Sequence, residues 1–304
     1  MSESNSTAFL MKAASAASVG VAVILIVVKV FASAMTDSVA LLSSLIDSFL
    51  DACASFLNFW AVRESLTPAD SKHRFGHGKV EPLAAVAQAA FIAGSAVLLT
   101  FQSIRSLLRP RALENADVGM LAMGVSVVLT FALIVFQRYV IRKTKSVAIA
   151  ADYAHYAGDI LMNLSVMASL FIGAYWHFDY ADPIFALTIA GYLLFSAWKI
   201  IKTALIQLTD AELPREEKQK IANVVLTTPE VDGLHDLRTR ASGAKWFIQL
   251  HLELNPEFTL AKAHAVADTV EARLMNAFPN ADVLIHQDPA GLNEKHPEWC
   301  YHNI

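Results

Sequence analysis

Two pairs of potential ligands sit where membrane-spanning helices are expected. The segment SLIDSFLDACASFLNFW (44–60) carries Asp47 and Asp51, and ADYAHYAGDILMNL (151–164) carries His155 and Asp159. Each pair is spaced i, i+4, so on a helix its members stand one turn apart on one face. A carboxylate at a bilayer centre costs about 2.5–3.5 kcal/mol even on the lenient insertion scale. Acids retained there need a compensating partner. A single one could serve as a hydrogen bonder between helices, but two pairs on two helices point to a cation or protons held between them. Three carboxylates and one imidazole suit a divalent cation, and tetrahedral geometry with His suits zinc. Metal binding requires deprotonated ligands and releases protons, so a site opening to alternate sides would exchange metal for protons. Asp152 lies on the same stripe as His155, nearer a basic connection, and reads as a solvated first-turn acid.

Two further groups lie outside the apolar stretches. The loop PADSKHRFGHGK holds Asp70, His73 and His77, three donors within eight residues, and Gly76 and Gly78 permit the tight backbone such a loop needs. Three ligands would leave a fourth position open for exchange or sensing. The C-terminal third holds His235, His251, His264 and His286, with Asp288. Residues two apart in a strand share a face, so His286 and Asp288 point the same way. A layout that fits is one zinc on His235 and His251, another on His264 and His286, and Asp288 bridging them.

The elements that must position these residues follow from hydropathy. Of the 304 residues, 55% are hydrophobic and 17% charged, against about 25% charged in an ordinary soluble domain. Residues 13–34 contain one charge, Lys29, and residues 82–104 and 118–137 contain none. Such stretches match the roughly 20 residues that cross a ~30 Å hydrocarbon core, and lipid forces them into helices. Six spans are expected, at about 13–34, 38–62, 82–108, 117–139, 147–175 and 182–206. An even number places both termini on one side. The second connection (Arg63, Lys72, Arg74, Lys79) and the fourth (Arg138, Arg142, Lys143, Lys145) are basic, which makes that side cytoplasmic, against Arg105, Arg109 and Arg111 in the third. Thr36, Asp37 and Ser38 offer an N-cap for the second helix.

From about 210 onward the composition is that of a soluble protein. The expected order is a helix opened by Pro214, a hairpin turning at Ser242-Gly243, an amphipathic helix, and a strand stopped by Pro289. This order resembles a small cytoplasmic α/β domain of the ferredoxin or metallochaperone type. The domains expected are 1–209 (a six-helix transmembrane domain), 210–290 (a cytoplasmic metal-binding domain) and 291–304 (a disordered tail with His296, Cys300 and His302); the family resemblance drawn from the assembled motifs makes the first the transport domain and the second the dimerisation domain. The N-terminus lacks the basic region and cleavage site of a signal peptide. Net charge is −4 and no long basic run suggests nucleic acid. A disulfide between Cys53 and Cys300 is not expected.

With these motifs assembled, the chain resembles the cation diffusion facilitator family from about residue 8 to 290, through LIDSFLD, HYAGD, FGHGK and HDLRT…HLEL…IHQDP. The resemblance implies an inner-membrane homodimer that exports zinc, cadmium or ferrous iron in exchange for protons. It puts the transport-site ligands on Asp47, Asp51, His155 and Asp159, and the loop-site ligands on Asp70, His73 and His77. The cytoplasmic two-metal site falls on His235, His251, His264, His286 and Asp288. It also implies a Lys–Asp interlock at the membrane–cytoplasm junction, matched by Lys79 and Asp210. One imidazole among three carboxylates favours zinc or cadmium and tolerates iron(II).

The function expected is proton-coupled antiport by alternating access, with Zn2+ both transported and structural, not enzymatic catalysis. The competing readings are a membrane metalloenzyme and a passive metal channel or sensor. The enzyme needs an open coordination position and a general base, and no H-E-x-x-H occurs. The channel prefers weak multi-site binding.

Overall fold

The computed structural model describes residues 3–36, 39–108, 117–176 and 180–291. The chain divides into two compact units, one spanning Thr7–Leu205 and a second that begins at Ile206.

The first unit is built from six long helices: α1 (Glu3–Thr36), α2 (Val39–Ser65), α3 (Val80–Leu108), α4 (Asp117–Thr144), α5 (Val147–Trp176) and α6 (Ala181–Leu208). Within the described residues, four stretches are long and apolar enough to cross a membrane: Ser6–Phe31, Val80–Leu108, Gly124–Thr144 and Ala181–Leu208. They belong to α1, α3, α4 and α6. At 27 and 30 residues, α2 and α5 have the length as well, and they are the helices that carry Asp47, Asp51, Asp152, His155 and Asp159. Several helices overrun their expected ends: α1 starts at Glu3 and α4 runs to Thr144. Hydropathy marks only the lipid-crossing part of a helix that continues into polar surroundings. The N-cap expected at Thr36, Asp37 and Ser38 falls partly outside the described residues.

Small residues let these helices approach closely. Ala85, Ala89, Ile92 and Ala96 of α3 pack with Val147, Ala151 and Ala154 of α5 and with Ile189, Leu193 and Ala197 of α6. Gly158 is the tightest point. A Cβ there would lie 2.7 Å from Leu193 Cδ2, so a larger residue would make the Leu193 side chain shift. A second cluster joins Met11 and Ala14 of α1, Val62 of α2, Val140 of α4 and Ile149 of α5.

The start of α5 is fixed twice over. Ser146 caps it, its Oγ accepting from the Ile149 N–H at 3.2 Å. The buried Glu81 of α3 then accepts from Ser146 Oγ at 2.6 Å and from the Val147 N–H at 2.8 Å. A carboxylate on the unsatisfied N–H groups of a helix start is favourable by charge as well as by hydrogen bonding.

The second unit follows the expected order: α7 (Arg215–Leu226), β1 (Gly233–Ser242), β2 (Lys245–Leu254), α8 (Leu260–Ala277) and β3 (Ala281–Pro289). The sheet order is β1-β2-β3. β1 and β2 form an antiparallel hairpin turning at Gly243, whose φ is +60°. β2 and β3 run parallel, with α8 as the crossover between them. Thr259 caps α8 by accepting from Lys262 N–H. Ile248, Leu250 and Leu252 of β2 pack with Ile221 and Val225 of α7 and with Val270 and Leu274 of α8. One face of the sheet is thereby closed by helices.

Candidate metal centre

Helices α2 and α5 bring three of the four expected membrane ligands together. Asp51, His155 and Asp159 offer donor atoms that all lie within 4.8 Å of one another. His155 Nε2 is 3.0 Å from Asp51 Oδ1 and 3.9 Å from Asp159 Oδ2. The i, i+4 spacing sets the second contact; packing of α5 against α2 makes the first. Asp47 occupies the helical position one turn before Asp51, and its side chain lies outside the described residues. A pocket of about 180 Å³ adjoins the cluster, lined by Asp51 and Asp159 together with Lys29, Ser48, Thr130 and Asn163.

Asp152 corrects an expectation. It is completely buried, not solvated. Ser18 Oγ of α1 and Gln137 Nε2 of α4 donate to its Oδ2, the latter at 2.7 Å. Tyr156 Oη pairs with Ser55 Oγ of α2 at 2.8 Å and donates to the Ser18 carbonyl at 3.2 Å. The His155 and Tyr156 rings meet edge-on at 5.5 Å. Asp152 is thus the centre of a polar knot tying α1, α4 and α5. The signal missed was Ser18 and Gln137 themselves, polar residues in otherwise apolar stretches.

The loop after α2 gathers its three residues. The donor atoms of Asp70, His73 and His77 also lie within 4.8 Å of one another. Asp70 Oδ1 accepts from the backbone N–H of Lys72 at 2.8 Å and of His73 at 2.6 Å. These N–H groups, that of His73 foremost, hold the Asp70 carboxyl below its ordinary range. Asp70 Oδ2 faces His77 Nε2 at 3.5 Å. Glu64, from the end of α2, reaches within 3.8 Å of the same nitrogen, a neighbour that spacing within the loop did not reveal. Gly76 takes up φ +82°, so this glycine makes the turn that the loop requires. His77 Nδ1 is buried without a hydrogen-bond partner. The donor set and this orphaned nitrogen fit a bound cation.

In the second unit the sheet aligns three histidines. His251 stands directly opposite His235 on β1 and opposite His286 on β3. Asp288 lies between them. Its Oδ2 is 2.7 Å from His251 Nδ1 and 3.4 Å from His235 Nε2, and its Oδ1 is 3.1 Å from His286 Nε2. One carboxylate thus touches both halves of the expected layout. His264 is well exposed and faces Asp268 at 3.5 Å, outside the cluster of His235, His251 and Asp288. Two acids were missed. Glu253 Oε1 sits 2.8 Å from His235 Nδ1. Asp236, at a bulge with φ +47°, holds Arg238 and lies 3.6 Å from His251 Nε2. A paired-strand register would have found Glu253, two residues from His251 on the same face. Asp210 pairs with Arg240 at 3.1 Å. His296, Cys300 and His302 lie outside the described residues.

Comparison with known proteins matches this division. Residues 15–209 match the family described as the cation efflux transmembrane domain, and residues 213–290 the family described as the cation efflux protein, cytoplasmic domain. The cation-efflux pump FieF of Yersinia enterocolitica is 45% identical over 292 residues, covering 95% of this chain and 97% of its own length. FieF of Klebsiella pneumoniae is 45% identical over 284 residues, covering 93% and 94%. Among solved structures, the Zn form of CzrB is 30% identical, covers 28% of this chain and 97% of its own, and has a TM-score of 0.26.

Proposed function

This chain belongs to the cation efflux family, and on that premise we propose that it exports Zn2+ from the cytoplasm in exchange for protons, by alternating access. Divalent metal cation efflux is the activity of the family and of the full-length relatives; the chain is a transporter, not an enzyme. Zinc as the main substrate, with cadmium and iron(II) also carried, and proton coupling are our reading. The observation that carries it is the meeting of Asp51, His155 and Asp159 on α2 and α5.

Asp51, His155 and Asp159, with Asp47, are the transport ligands in this reading. A donor set of carboxylates and one imidazole is soft enough for zinc and cadmium and still accepts iron(II). Zinc reaching these ligands from the cytoplasm displaces their protons. Motion of α2 against α5 opens the site outward, where protons displace zinc. A ligand shifts a conformational equilibrium only by its differential affinity for the two states, so the protonated and metal-bound sites must favour different arrangements.

Asp70, His73 and His77 form the loop site. His235, His251, His286 and Asp288, with His264 as a further ligand that would have to turn from Asp268, form the cytoplasmic site, where resident zinc would stabilise the domain and bias its conformation. We take 1–209 as the transport domain and 210–290 as the cytoplasmic domain. The protein works as a homodimer in the inner membrane, both termini cytoplasmic. The dimerisation named in the family of the second domain supports that assembly.

Zinc titration of the full chain in buffers of different ionisation enthalpy tests the exchange. Protons released per zinc are read from the buffer dependence of the heat. Release that disappears in His155→Ala supports the reading; zinc binding at this site without proton release contradicts it.

A further inference from the structure

The membrane pocket contains a cation of its own. Lys29 is the sole charged residue between positions 13 and 34. A lysine on a lipid-facing surface extends its ammonium to the interface. Here Nζ donates instead to Ser48 Oγ of α2 at 2.5 Å, and the side chain lines the same pocket as Asp51, Asp159 and Asn163. Lys29 and Asp159 interact electrostatically. Ammonium has three donors and no acceptor, so it cannot ligate a metal. It acts on a cation in the pocket by repulsion alone.

We propose that Lys29 is a fixed counter-charge of the transport site that weakens divalent-metal binding enough to permit release. This deepens, and rests on, the reading of Asp51, His155 and Asp159 as transport ligands. The charge count explains why one lysine is useful. Among the ligands, Asp47, Asp51 and Asp159 bring three negative charges, Lys29 returns one positive, and His155 is neutral when it ligates; Asp152 acts on His155 and Asp159 from outside the pocket lining. The remaining two negative charges match one divalent ion. Removal of the lysine charge leaves the loaded pocket negative, so it holds the ion more tightly and releases it more slowly. The tether to Ser48, next to Asp47 on α2, keeps the ammonium near the acids when the site is empty.

The test uses the full chain, titrated calorimetrically with Zn2+ and assayed for zinc flux in proteoliposomes, as wild type, Lys29→Met, Lys29→Arg and Asp51→Ala. The transport isotherm is the one that Asp51→Ala removes. In Lys29→Met it is expected to tighten by about tenfold or more while flux at saturating zinc falls; Lys29→Arg, which returns the charge, brings it back to within about threefold of wild type. A purely structural lysine predicts the opposite sign, because loosening α1 from α2 weakens the site. Unchanged or weaker zinc affinity in Lys29→Met overturns the proposal. If Asp51→Ala removes no isotherm, the transport-site reading fails instead. Should Lys29→Met not fold, Lys29→Gln, which keeps a donor for Ser48, is read by the same criteria.

Discussion

The imidazole of His155 and the carboxylate of Asp51 meet at 3.0 Å across 104 residues of sequence. The contact joins α5 to α2, so whatever occupies the space between these side chains is held by both helices at once. Opening that space requires one helix to move against the other. The start of α5 is anchored by Ser146 and Glu81, and its middle is pressed against Leu193 at Gly158. Rigid displacement of a firmly anchored helix suits alternating access better than local unwinding does.

The anchor itself is testable. Glu81 is buried and accepts from Ser146 Oγ and the Val147 N–H. Glu81→Ala strands these donors and is expected to cost about 2–4 kcal/mol. Glu81→Gln keeps an acceptor and loses the charge facing the helix start, for about 1 kcal/mol. Thermal unfolding of both variants in detergent checks the order. A glutamine variant that melts with wild type would mean that the charge is irrelevant to α5.

Asp152 makes a similar prediction with a different contrast. It is buried among donors from Ser18 and Gln137. Asp152→Leu keeps the volume and leaves those donors unpaired, at about 1–3 kcal/mol. Asp152→Asn retains one acceptor and loses less. A solvated acid would tolerate both changes, so a leucine variant as stable as wild type would restore the discarded expectation.

Asp70 does two things that substitution can separate. Its Oδ1 closes the turn on the Lys72 and His73 N–H groups, and its charge serves the loop site. Asp70→Asn keeps the turn and removes the charge; Asp70→Ala removes both. Metal affinity of the loop is expected to fall in both, and the loop's protease resistance only in the alanine variant. The sign of the pH dependence follows from the depressed carboxyl. The turn is fully held above the ordinary carboxylate range and weakens as pH falls through the lowered value. Loosening of this loop on raising the pH from 5 to 7 would be the wrong sign.

Gly233 protects the cytoplasmic site. A Cβ at this position would lie 2.5 Å from Glu253 Oε2, and Glu253 is the partner of His235 Nδ1. Gly233→Ala therefore pushes Glu253 away and frees the His235 ring to change tautomer. Loss of such a supporting contact typically costs 10–100-fold in metal affinity. Competition titration with a zinc chelator reads this directly, and affinity within about twofold of wild type would remove Glu253 from the site.

Much of this was legible in the sequence because short-range spacing carried it. The i, i+4 pairs, the D-x2-H-x3-H loop and the strand alternation need only a local period to be read. What escaped depends on long-range contacts. Asp152 looked solvated from its neighbours in sequence, yet its partners come from α1 and α4. Glu253 and Asp236 join the histidines only through the β1–β2 register and its bulge. Glu81 became a helix cap for α5 because two elements 65 residues apart pack together.

Zinc uptake into proteoliposomes under an imposed pH gradient tests the central claim most directly, with wild type compared against Asp51→Ala. The account predicts uptake that rises with the gradient in wild type and is abolished by the substitution. Wild-type uptake indifferent to the gradient, or an Asp51→Ala variant that still couples zinc to protons, would contradict it.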